Sequence, residues 1–167
     1  MAAGKSTVAP LLAARLGWGH LDMDAEIERR SGLRVAEMFR RLGEPAFRQA
    51  ERALALELAP RAALVVAAGG GAFVDPETRD ALRRDAAAVW LRCGVETVMA
   101  RIPSDGSRPL AGNRETIAAL LAAREPCYRL ADWTFDAARL APEALARAIA
   151  DAVFPGRSSA ARRASEE

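Results

Sequence analysis

The chain has 167 residues, 51% apolar or aromatic and 28% charged, which suits one ordinary domain whose core needs neither disulfides nor a structural metal. Twenty-four basic against 22 acidic side chains leave a net charge of +2, so charge offers no case for nucleic acid or a membrane surface as partner. No apolar run nears the ~20 residues of a membrane span, and no signal peptide is expected ahead of Gly4-Lys5-Ser6-Thr7. Two cysteines, Cys93 and Cys127, with a single histidine, His20, cannot build a Cys/His zinc site and suit a reduced cytoplasm. Lys5 is the only lysine, and the other 23 basic residues are arginines. A chain this biased toward arginine keeps its one lysine inside a Gly-Lys-Ser-Thr run.

The elements follow from hydrophobic period. Residues 5–16 read as a helix and 19–22 as a short strand, followed by short helices at 25–30 and 35–42 split by Ser31-Gly32. Residues 45–58 form a longer helix, with Pro45 at its first position and Phe47, Ala50, Leu54 and Leu58 along one stripe. The all-apolar run 64–67 is a strand expected to be covered on both faces. A helix at 76–83, a strand at 88–91 and a helix at 95–102 come next, then a Pro/Gly/Ser loop at 103–112. Residues 116–124 are a helix stopped by Pro126, 133–136 a strand and 142–153 a helix, before a polar tail at 155–167. Trp18, Trp90 and Trp133 each flank a strand and are expected to fill core. Strands alternating with helices predict an α/β fold: a parallel sheet flanked by helices, with ligands at the carboxyl ends of the strands.

Gly4-Lys5-Ser6-Thr7 is the distal half of a P-loop, in which backbone amides at a helix N-terminus hold phosphate, the lysine reaches the outer phosphates and the next hydroxyl binds Mg²⁺. Asp22 and Asp24 stand two apart at a strand end, where both carboxylates can look into one site; capping of the next helix by Asp24 is the plainer reading. One acid can serve the metal while the other receives a hydroxyl proton. Arg48 has Glu51 three residues on, so a guanidinium held by the glutamate can offer its free edge to a carboxylate; a solvated ion pair is the plainer reading. Gly69-Gly70-Gly71 after a buried strand allows close backbone approach and free amides. Arg101 and Arg108 bracket the start of a loop long enough to serve as a lid. Arg124 ends a helix, where a cation is favoured in any case.

In order along the chain stand Gly-Lys-Ser-Thr, Leu-Asp-Met-Asp, Ile-Glu-x-x-x-Gly, Phe39 with Gly43-Glu44-x-x-Phe47-Arg48-x-x-Glu51, Gly-Gly-Gly, Trp-Leu, Arg-Pro-Leu and Arg-x-Pro-x-Tyr-x-x-Ala-Asp. This ordered set resembles shikimate kinase, from residue 1 to about 153. The resemblance implies a small P-loop kinase with a five-stranded parallel sheet and a mobile lid near 103–112, as one domain over 1–154. It implies ATP with Mg²⁺ as the phosphoryl donor system, shikimate as acceptor, and a cytoplasmic monomer. Lys5 would contact the phosphates with Gly4 and Thr7, and Ser6 and Asp22 would serve Mg²⁺. Asp24 would hold the acceptor hydroxyl. Arg48 and Arg124 would bind the substrate carboxylate, with amides from Gly70 and Gly71. Arg108 would contact the transferring phosphate, and Arg101 and Pro142 would flank the adenine.

A gluconate-type kinase of the same fold and a non-catalytic ligand-sensing domain are the competing functions. Both acids, Asp22 and Asp24, favour an enzyme over a sensor. The complete P-loop motif has a further glycine five positions before Gly4, two before residue 1, and a strand to feed the loop. The chain is therefore expected to lack that first, central strand, which would lie between the strands at 64–67 and 88–91.

Overall fold

The computed structural model describes residues 2–102 and 113–155. The elements are α1 (Lys5–Leu16), β1 (Gly19–Asp22), α2 (Met23–Ser31), α3 (Val35–Leu58), β2 (Leu64–Ala67), α4 (Pro76–Arg83), β3 (Val89–Arg92), α5 (Val95–Arg101), α6 (Arg114–Tyr128), β4 (Trp133–Asp136) and α7 (Pro142–Val153). The expected lid and the polar tail beyond Pro155 lie outside the described residues, and Arg108 with them.

All pairing is parallel, as the α/β alternation requires. β1 lies beside β2 from Gly19 opposite Leu64 to Asp22 opposite Ala67, and β3 beside β4 from Val89 opposite Trp133 to Arg92 opposite Asp136. Among the described residues β2 and β3 form no ladder with each other, so the strands stand as two pairs. The two pairs share one cover. Val65 of β2, Val89 and Leu91 of β3 and Phe135 of β4 pack with α1 and α7 through Leu12, Leu16, Leu145 and Ile149. On the other face Met23 and Ile27 of α2 and Phe47, Leu54 and Leu58 of α3 pack against Val66 and Leu64. Leu64, Val65 and Val66 are nonetheless only half-buried. Side chains cover both faces of β2, as expected, and among the described residues its edge toward β3 has no strand against it.

The helices expected at 35–42 and 45–58 are the two arms of α3, which meet at a kink where Gly43 is non-helical (φ 83°, ψ 165°). Glycine alone takes that φ without strain, and Pro45 begins the second arm, where its missing N–H costs nothing. α6 does not stop before Pro126 but runs through it to Tyr128. A proline costs a helix an N–H and crowds the carbonyl four residues back, so tertiary contacts of the last turn must hold it. Trp133 is 40% exposed rather than filling core as expected. Trp18, by contrast, packs on Phe154 with centroids 4.9 Å apart. No described helix is long and apolar enough to cross a membrane.

Candidate active site

A cleft of about 340 Å³ opens at the carboxyl ends of β1 and β2, where an α/β sheet offers free strand ends and helix N-termini to a ligand. One end is built from Gly4, Lys5, Ser6 and Thr7, with Asp22 and Arg101. Gly4 caps α1 in the left-handed region (φ 90°, ψ 17°), and α1 has neither a side-chain cap nor an acid in its first turn. The positive end of the helix dipole is thereby left to an outside anion. Gly4 also lies beside Arg101, since a Cβ there would come 3.8 Å from the Arg101 Nη1. Arg101 is fixed from behind by donating through Nη2 to the Ala137 carbonyl at 3.1 Å.

Ser6 Oγ donates to Asp22 Oδ2 at 2.5 Å. A hydroxyl and a carboxylate held together are hard oxygen donors of the kind that suit Mg²⁺, which takes one or two protein oxygens and fills its octahedron with water and phosphate. The residues present therefore fit that ion. The other Asp22 oxygen, Oδ1, accepts from the N–H groups of Asp24 (3.0 Å) and Ala25 (3.3 Å). Asp22 is thus the N-cap of α2, which corrects the expectation that Asp24 might hold that post. Asp24 sits in the first turn of the helix and lines the cleft.

The far end carries Arg48, Glu51, Gly70, Gly71 and Arg124. Arg48 is held from two sides. Its Nη1 donates to Glu51 Oε2 at 2.7 Å, and its Nε and Nη2 donate to Glu44 Oε1 at 3.1 and 2.8 Å. The guanidinium also lies 5.3 Å from the Phe47 ring centroid. Glu51 is 1% exposed, so the plainer reading of a solvated pair fails. Burial pushes the Glu51 carboxyl up, Arg48 pulls it back, and the nearby Asp24 charge adds to the rise. Its second oxygen, Oε1, is buried without a hydrogen-bond partner.

The triple glycine is required by space rather than by φ. A Cβ at Gly71 would overlap the Arg48 guanidinium, and one at Gly69 would come 2.7 Å from Glu51 Oε1 and 3.1 Å from Asp24 Oδ1. Neither position lies in the left-handed region. Two carboxylates and an arginine thus converge on the bare backbone of this loop.

The family model for shikimate kinase matches residues 1–154. The chain belongs to the shikimate kinase family. A shikimate kinase of Moorella thermoacetica is 43% identical over 155 residues, 92% of this chain and 90% of the relative. One of Paramagnetospirillum magneticum is 42% identical over 147 residues, 86% of this chain and 75% of the relative. Among solved structures, shikimate kinase from Acinetobacter baumannii in complex with shikimate superposes with a TM-score of 0.88 at 37% identity, over 92% of this chain and 88% of that one. The shikimate kinase of Aquifex aeolicus gives a TM-score of 0.79 at 27% identity, over 92% of this chain and 90% of that one. The family uses ATP with Mg²⁺ as its phosphoryl donor system.

Of the residues singled out in sequence, Gly4, Lys5, Ser6, Thr7, Asp22, Asp24, Arg48, Gly70, Gly71, Arg101 and Arg124 meet around this one shikimate kinase-type cleft. Pro142 does not line it. It occupies the start of α7 after Ala141, so the proposed adenine contact has no support from the cleft wall. Sequence reasoning passed over Glu44 as the second holder of Arg48, and Gly69 as the contact of both acids. The motif Gly43-Glu44-x-x-Phe47-Arg48 carried the first signal, because Glu44 and Arg48 are four apart on a helix. Phe39 of the ordered motif set and Val35 also line the cleft, and nothing local in the sequence marked Val35.

Proposed function

We propose that this chain transfers the γ-phosphoryl group of ATP to a ring hydroxyl of shikimate, giving shikimate 3-phosphate and ADP. The observation that carries this reading is one cleft with a phosphate end, Gly4 to Thr7, and a paired-arginine end, Arg48 and Arg124, with Asp24 on the same wall. Lys5 and the α1 amides receive the phosphates. Arg48, braced by Glu44 and Glu51, joins Arg124 in binding the carboxylate, with Gly70 and Gly71 offering amides alongside. Bound through its carboxylate, the substrate presents a hydroxyl to Asp24.

Asp24 accepts the hydroxyl proton as the oxygen forms its bond to the γ-phosphorus. The bond from that phosphorus to the β–γ bridging oxygen breaks, and ADP leaves with the electron pair. Ser6 and Asp22 would hold Mg²⁺, which supplies neutralisation of the phosphate charge when bound. Arg101 closes the phosphate end, and Arg108 is assigned to the transferring phosphate. Positioning and charge stabilisation account for most of such a phosphoryl transfer, so a rigid, braced acid-binding end is the main demand on the fold. We assign one kinase domain to 1–154 and read the enzyme as a cytoplasmic monomer acting on shikimate and ATP, without nucleic-acid or membrane partners. The test is ADP release in a coupled assay, first with shikimate and then with gluconate. Release with shikimate alone supports the reading, and release with gluconate alone would overturn it.

A further inference from the structure

Tyr128 is the last residue of α6 and stands one helical turn after Arg124, so the two share a face of the helix. They do so only because the helix continues through Pro126. The Tyr128 hydroxyl donates to the Gly70 carbonyl at 2.9 Å, bridging 58 residues of sequence. The Arg124 guanidinium stands beside the same phenol oxygen, against the upward push that burial gives this hydroxyl. The ring itself packs against Trp90 of β3, with centroids 5.8 Å apart. The hydroxyl is therefore hydrogen-bonded to the loop and stands beside Arg124, two parts of the cleft wall that come from different regions of the chain.

The peptide bond is planar and trans, so holding the Gly70 carbonyl also fixes the direction of the Gly71 N–H, which points the opposite way. The turn bonds that span the loop, Ala72 N–H to the Gly69 carbonyl and Val74 N–H to the Gly71 carbonyl, use neither the Gly70 carbonyl nor the Gly71 N–H. We propose that Tyr128 is a positioning residue: its hydroxyl sets the Gly70–Gly71 peptide plane and braces the Arg124 guanidinium, so that both face the substrate carboxylate together. The proposal rests on the function proposed above and deepens it. Tyr128 needs no contact with substrate, and it acts through Arg124 and the loop.

Tyr128→Phe keeps the ring on Trp90 and removes only the oxygen. The expected result is a rise of ~5–30-fold in the KM for shikimate, the scale of one lost hydrogen bond at an organised site. The KM for ATP, kcat and the melting temperature should stay close to the parent values. A role confined to packing would move none of these, and an unchanged shikimate KM overturns the proposal. A rise in both KM values, or a collapse of the melting temperature, also overturns it, because the oxygen would then support the fold in general. A double-mutant cycle with Arg124→Ala gives the second arm. In the Arg124→Ala background the effect of Tyr128→Phe should shrink to the part carried by the Gly70–Gly71 plane. An undiminished effect there would mean the oxygen does not act through Arg124, and the proposal fails. Shikimate binding to the parent chain is measured first by calorimetry. No binding at that stage overturns the proposed function and this inference with it, whereas parent binding with no change in Tyr128→Phe overturns this inference alone.

Discussion

Arg48 and Glu51 meet at 2.7 Å on one face of α3, with the Glu51 carboxylate 1% exposed and its second oxygen without a partner. A buried carboxylate is tolerated only while its charge is matched. Arg48 supplies that match from a seat between Glu44 and Glu51 on the cleft wall. The pair thus lines the cleft at a cost to stability.

That cost gives a pH signature. Burial raises the Glu51 carboxyl above its ordinary value of 4.5, so the folded chain holds a proton that the unfolded chain has already released. Where the folded state binds more protons, stability falls as pH rises. The decline contributed by Glu51 should begin near 4.5 and end once pH passes the raised folded value. Glu51→Gln removes this contribution. Denaturant melts of the variant across pH 4–8 should fall less steeply over that window than those of the parent, and parallel curves would contradict the assignment.

Gly71→Ala tests the close approach of loop and guanidinium. An added Cβ would overlap Arg48, and the guanidinium must leave its seat between Glu44 and Glu51. Displacing an arginine from a bound carboxylate costs about 2–5 kcal/mol. Shikimate affinity should fall accordingly while ATP affinity holds, which calorimetry with each ligand separately would read.

Asp24→Asn separates chemistry from folding. Because Asp22, not Asp24, caps α2, the substitution removes the proposed proton acceptor and leaves the cap in place. Turnover should drop ~10²–10⁴-fold, the usual range for a general base, with the melting temperature nearly unchanged. Turnover within a few-fold of the parent would take Asp24 out of the reaction.

Asp22→Asn makes the complementary test. Asparagine caps a helix about as well as aspartate, so α2 should persist while the oxygen pair with Ser6 loses its charge. The Mg²⁺ concentration for half-maximal rate should rise. An unaltered titration, or a large loss of helix by circular dichroism, would contradict the separation of the two roles.

Local order along the chain was enough for the architecture. Alternating apolar runs and helical periods mark β1 to β4 and the helices between them, because period 2 and period 3.6 are written within a few residues. The Gly4-Lys5-Ser6-Thr7 run and the paired acids 22 and 24 were legible for the same reason: each is a short motif whose chemistry depends on neighbours. Tertiary structure decided what happens between distant segments. Glu51 is buried because the bare backbone of Gly69 closes over it, and its spacing from Arg48 alone reads equally as a solvated pair. Asp22 rather than Asp24 caps α2 because the strand delivers its carboxylate to the helix amides. Pro126 does not end α6, and Tyr128 reaches Gly70 across 58 residues. Contacts of that range lie outside any local period, since they are set by which surfaces the packed helices bring together.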